Sequence, residues 1–156
     1  MSPPFRVALV ALAALAALSG CSTGSAAEQQ SFDISGTITL GLGNATRSDA
    51  PANAGCQGSV LSGLTDMVGT QIVALDSSGD VLQTGKIKKG IVKWEPLSEP
   101  AFNGATEQAY CELPFTIDKV TPAKKDLYKL QVKGLTDSEY LPAAELSGVD
   151  LRPTAK

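Results

Sequence analysis

Three cysteines and sixteen carboxylates are the side chains with which this chain could do covalent or acid–base chemistry, for it contains no histidine. Without an imidazole, Ser–His–Asp and Cys–His relays are excluded, as are His-ligated zinc and copper. The commonest general base near neutral pH is missing too. The carboxylates Asp118 and Asp126, and likewise Asp137 and Glu139, fall in apparent loops. No apolar cleft is evident there to shift a pKa, so they read as solvated surface. Asp66 in "GLTDMVGT" reads as a turn residue accepting from backbone N–H groups, with a ligand role as the alternative. Asp76 and Asp80 do not fit the spacing of a calcium loop, which also needs a later glutamate. "GLG" at Gly41–Gly43 lacks the further glycine and the helix of a phosphate-binding turn. The residues thus assign no catalytic group, no cofactor and no metal.

The first cysteine closes a different pattern. Arg6, twelve apolar residues from Val7 to Leu18, and Ser19-Gly20 have the layout of a secretory signal peptide, whose apolar core runs roughly 7–15 residues. A membrane-spanning helix needs about 20. Leu18-Ser19-Gly20-Cys21 resembles a bacterial lipobox, Leu-x-Gly/Ala-Cys. That resemblance implies cleavage before Cys21 and a diacylglyceryl group on its sulfur. Two or more acyl chains, each contributing about 0.8 kcal/mol per buried CH₂, hold a protein stably on a bilayer. The expected location is therefore the extracytoplasmic face of the cell membrane, with the membrane itself as partner through Cys21.

Loss of residues 1–20 leaves twelve cations against sixteen carboxylates. This mild acidity carries no footprint for nucleic acid. Cys56 and Cys111 remain as an even pair in an oxidising compartment, which reads as a disulfide, with two free buried thiols as the alternative. They are too few for a four-cysteine zinc site.

Positioning these residues falls to strands. Residues 21–31 are small and polar, a tether with a reach of roughly 17 Å. In "FDISGTITL", Phe32, Ile34, Ile38 and Leu40 alternate with polar residues, as in a half-buried antiparallel strand. "AYCELPFTI" alternates likewise and turns Cys111 inward. Its outward Pro114, which cannot donate to a ladder, predicts an edge strand or a bulge there. "DLYKLQVKG" alternates through Tyr128, Leu130 and Val132. Asp76-Ser77-Ser78-Gly79-Asp80 is the turn cluster of a hairpin. "RSDAPANAGCQG" and "WEPLSEPAFNGATEQ" read as surface loops, "PAAEL" as at most one helical turn, and "GVDLRP" as a last short strand. The result is an all-β chain: one antiparallel β-sandwich domain over residues 32–152, of immunoglobulin-like or transthyretin-like kind, with a tail at 153–156. Spacing alone leaves barrel closure open. Lys86, Lys88, Lys89 and Lys93 beside Trp94 suggest either lysines blunting a strand edge or contact with anionic headgroups.

The order Cys56-Gln57-Gly58, Gly63 to Met67, Gly69 to Val73, Asp76 to Gly79, Cys111 to Ile117 and Leu127 to Leu130 resembles a family of small lipoproteins and secreted proteins of mycobacteria and their relatives. The likeness runs from about Phe32 to Leu151, with Leu64, Leu113 and Leu127 at positions where that family has aromatic residues. The Asp-x-x-Gly hairpin is also similar to that of carboxypeptidase-regulatory and transthyretin-like sandwich modules. Neither resemblance implies a catalytic residue. The expected role is a non-enzymatic, lipid-anchored binding or interaction module of the envelope, with an envelope protein or lipid as partner. The alternatives are a carrier of an apolar or lipid ligand held between the sheets, which needs a cavity of several hundred Å³, and a hydrolase of unusual type.

Overall fold

The computed structural model describes residues 30–58, 66–101 and 103–154. The expected signal peptide, Cys21 and all of the tether but Gln30 and Ser31 lie outside them. So does the Gly63–Thr65 part of the "GLTDM" motif.

The domain is an all-β sandwich. Its strands are β1 (Phe32–Gly41), β2 (Gly55–Cys56), β3 (Gln71–Asp76), β4 (Val81–Ile87), β5 (Gly90–Pro96), β6 (Glu107–Val120), β7 (Tyr128–Val132) and β8 (Ser147–Leu151). A single 3₁₀ turn, Ala143–Glu145, is the helical element among the described residues. All pairings are antiparallel except that of β1 with β8.

Fourteen-residue β6 is the spine. One edge pairs with β1 from Phe32↔Val120 to Gly41↔Tyr110. The other edge is shared: its first half pairs with β5 and its second, at Thr116 and Phe115, with β4. Running from Lys86 to Pro96, β4 and β5 thus follow β6 almost continuously, bending at Lys88–Lys89, where the Lys88 N–H donates to the Pro114 carbonyl at 2.8 Å. Such bends let one strand pass from one layer to the other. The corner demands glycine at position 90, because a Cβ there would fall on the Glu112 carbonyl oxygen.

The edge or bulge expected at Pro114 is therefore corrected: it lies mid-strand in the central strand. The N–H and C=O of a strand residue point to the same neighbour. The missing N–H of Pro114 therefore faces the gap between the β5 and β4 pairings, while β1 keeps its register opposite, with Thr37↔Pro114.

One layer holds β8-β1-β6-β5-β2; the other holds β4-β3-β7 and folds over the first. Strands β7 and β1 are not sheet neighbours, yet Tyr128 and Phe32 meet edge to face, with centroids 5.3 Å apart. Between the layers Ile34, Ile38, Leu113, Phe115, Ile117, Ile72 and Leu130 are fully buried. Period-two alternation sends these residues inward, as the sequence predicts. The Tyr128 hydroxyl, also buried, accepts the Ala123 N–H at 2.9 Å. Closure into a barrel stops at a seam between β7 and β8. The outer edge of β7 is instead capped by residues 138–141, through Ser138 N–H to the Leu130 carbonyl and mutual Tyr128–Leu141 bonds. One end of the seam is laced by Thr136 N–H to the Thr154 carbonyl at 2.8 Å.

Cys56 and Cys111 are joined in a disulfide, their Cα atoms 5.9 Å apart. The bond pins two-residue edge strand β2 to the spine, with the Cys111 end buried and the Cys56 end half-buried.

Candidate functional site

Clefts open at several places on the described residues, one of about 330 Å³ along Gln71, Val73, Gln131 and Lys133; two others carry ion pairs on their walls. The first of these two lies in the seam and has a volume of about 320 Å³. Its floor is apolar, with Ile38, Leu130, Val132 and Leu135, and its rim carries Asp137, Glu139, Asp150 and Arg152. The floor residues are at most 4% exposed, so the layers meet beneath the cleft and enclose no ligand-sized hollow there.

Arg152 crosses from this rim over the outer face of the sheet. It donates to Asp150 Oδ2 at 2.9 Å and makes a fork to Glu95 at 3.1 and 3.2 Å, with its guanidinium 5.6 Å above the Tyr110 ring. Thr39 and Thr37 donate to the other Asp150 oxygen. Partial burial alone raises the Asp150 pKa. The hydrogen bonds from Thr39, Arg152 and Thr37, with the Arg152 charge, outweigh that and hold the carboxyl below its usual range. Those same bonds to Glu95 and Asp150 push the Arg152 pKa upward.

The second cleft, about 500 Å³, is built by loops at the end of the sandwich where β1 finishes. One wall is the turn after β1. The Thr46 hydroxyl and N–H both donate to Asp49 Oδ2, at 2.7 and 3.2 Å, while Asp49 and Ala50 N–H return to the Thr46 carbonyl. The side-chain and then the backbone bond from Thr46 lower the Asp49 pKa, fixing it as an anion. The opposite wall is formed by residues 97–101 and 103–106, with Leu97 N–H donating to Thr106, Ala101 N–H to Ala105 and Gly104 N–H to Ala101. Gly104 sits there at φ +78°, and Asn103 Oδ1 accepts the Ala105 N–H.

At the back stands Trp94. Its ring packs against the small cluster Ala50, Val92 and Ala109, and its indole N–H donates to the Ala50 carbonyl at 2.8 Å. The Arg47 guanidinium lies 5.0 Å from the ring centroid. Nε and Nη2 of Arg47 both reach Glu107 Oε2, at 3.1 and 2.6 Å. Trp94, Arg47 and Glu107 come from three separate segments and form one fixed stack, with a cation–π contact behind and an ion pair in front.

The remaining sequence candidates resolve as follows. Asp66 accepts the Val68 N–H at 3.1 Å, which is the turn role. Asp76 accepts from Ser78 and Asp80, closing the β3–β4 hairpin with Gly79 at φ +87°. Asp118 is exposed on β6 and Asp126 sits in a loop at φ +50°. Asp137 takes the Gln131 amide and lies 3.9 Å from Lys129, and Glu139 is exposed. Strand alternation puts Lys93 and Trp94 on opposite faces of β5, so these two do not share a surface. The Lys89 chain lies against Gly55 of edge strand β2, in keeping with the edge-blunting role. Arg47 and Glu107 carried no sequence signal of their own. The lone tryptophan beside a Pro/Asn/Gly-rich loop was the available clue.

No protein-family model matches this chain, and neither a curated protein nor a solved structure is significantly similar to it.

Proposed function

We propose that the chain is a lipid-anchored module of the cell envelope that binds a ligand, and that the Trp94–Arg47 cleft is its binding face. The observation that carries this reading is placement. Strand β1 starts at Phe32, next to the tether, and ends at Gly41, two residues before the cleft lining begins at Gly43. Ten residues of extended chain separate the two ends by roughly 30 Å. A domain held by acyl chains on Cys21 then offers this end to whatever lies above the bilayer. The cleft is also built as binding sites commonly are, from loops on a rigid sheet with an aromatic wall and a few fixed polar groups.

General acid–base chemistry near neutral pH asks for a carboxyl raised toward 7. The shifts at Asp49 and Asp150 both run downward, which suits structural hydrogen bonding better.

The test is capture from envelope extracts by the full-length lipoprotein and by Asn44→Trp, which plugs the mouth at an exposed position. A stoichiometric component retained by the first and lost by the second is the expected result; equal retention would refute the cleft's role.

Carriage of an apolar ligand draws support from the seam, where an apolar floor lies under a charged rim. It requires β7 and β8 to part. Organic extraction of protein purified from its host would then release about one equivalent of lipid beyond the acyl chains on Cys21.

A further inference from the structure

We propose that the Trp94 cleft is a saccharide subsite, taking an uncharged glycan chain of the layer above the membrane. This inference rests on the cleft being the binding face. Charge argues first. The cation and the anion lining the cleft, Arg47 and Glu107, are paired with each other, and its other polar residues are neutral amides and hydroxyls such as Asn44, Asn103 and Thr106. An anionic ligand would meet no surplus cation in the lining, and a further ion of that wall, the Asp49 carboxylate, is already taken up by the Thr46 hydroxyl and N–H. A purely apolar one would strip water from these polar groups and return no hydrogen bonds, which costs binding at each group left unpaired.

Geometry argues second. Both bonded nitrogens of Arg47 sit on Oε2 of Glu107, leaving Oε1 without a hydrogen-bond partner among the described residues. An open acceptor beside the guanidinium N–H donors matches two neighbouring hydroxyls, each of which can donate and accept. The half-buried indole with the Arg47 guanidinium over it gives the apolar C–H face of a sugar ring a flat-sided aromatic and cationic wall to lie against. The cleft is open-sided rather than enclosed, as a polymer running through it requires.

Trp94 is the single tryptophan of the chain, so selectively excited tryptophan fluorescence reports on this site. The full-length lipoprotein in detergent is titrated with neutral oligomers of glucose, mannose, galactose, arabinose and N-acetylglucosamine. Oligogalacturonate and a heparin fragment serve as charged counterparts. The expected result is a saturable change with at least one neutral oligomer, insensitive to 0.5 M salt (roughly; far above the ionic strength that screens surface charges). Arg47→Ala and Glu107→Gln, both at solvent-exposed positions, weaken binding about tenfold or more while the melting temperature holds.

Salt-sensitive binding of the charged oligomers alone would overturn the proposal, as would affinity unchanged in Arg47→Ala. If no saccharide binds but Asn44→Trp still abolishes capture of an envelope component, the saccharide inference falls and the binding face stands. If neither occurs, both fall.

Discussion

Opening the Cys56–Cys111 bond has a cost that can be worked from its place in the fold. The bond closes a loop with a sequence separation of 55 residues. Loop-closure entropy for that length is worth about 4 kcal/mol in the unfolded chain. For a domain of this size the loss corresponds to a melting temperature lower by about 15 °C. The two cysteines are not equivalent beyond that shared term. Cys56 is half-buried at the edge, where a serine hydroxyl reaches water, whereas Cys111 is 0% exposed inside the core. Cys111→Ser therefore adds the burial of an unpaired hydroxyl, about 1–3 kcal/mol. Urea denaturation of five samples separates the terms: oxidised, reduced, Cys56→Ser, Cys111→Ser and the double variant. Reduced protein and Cys56→Ser should lie together about 4 kcal/mol below the oxidised form. Cys111→Ser should lie lower still, and the double variant should equal Cys111→Ser. If reductant leaves the oxidised protein unchanged, or if the two single losses add in the double variant, the shared-bond reasoning is wrong.

Further outcomes follow from other parts of the molecule. Gly90→Ala drives a methyl onto the Glu112 carbonyl and should cost about 3 kcal/mol, whereas Gly41→Ala, whose methyl meets the movable end of Gln108 among the described residues, should cost under about 1 kcal/mol by the same denaturation assay. Asp150 has a folded pKa below its unfolded value, so its contribution is present above about pH 4 and is lost as pH falls through the folded value. Acid titration of stability should accordingly show a shallower decline below about pH 4 in Asp150→Asn. Cys21→Ala should move the protein from membrane to soluble fractions on ultracentrifugation; continued membrane retention would refute lipid anchoring.

The strands were legible where one face meets the core and the other meets water. Ile34, Ile38 and Leu40, then Cys111, Leu113, Phe115 and Ile117, then Tyr128, Leu130 and Val132 all point inward as their alternation dictates. The same alternation brought Cys111 to the inner face, within reach of Cys56. Pro114 misled because a proline reports only that one N–H has no partner. That β4 and β5 divide one edge of β6, leaving a gap opposite that nitrogen, is a property of three segments together. Thr39 shows the same limit: its place on the polar face of β1 is plain, but its 4% exposure depends on Asp150, 111 residues later. The candidate site was the least legible part. Arg47 and Glu107 are 60 residues apart, and nothing local in either stretch announces a shared partner in Trp94.

The dependence of β1 on β6 also dictates when this body can form. Phe32 must wait for Val120, and Leu40 for Cys111, so the leading strand has no mate until most of the polypeptide is present. Such distant pairings are slow to assemble. Local hairpins such as β3–β4 can pair early, but the core that β1 completes cannot close until the last third of the polypeptide has been made.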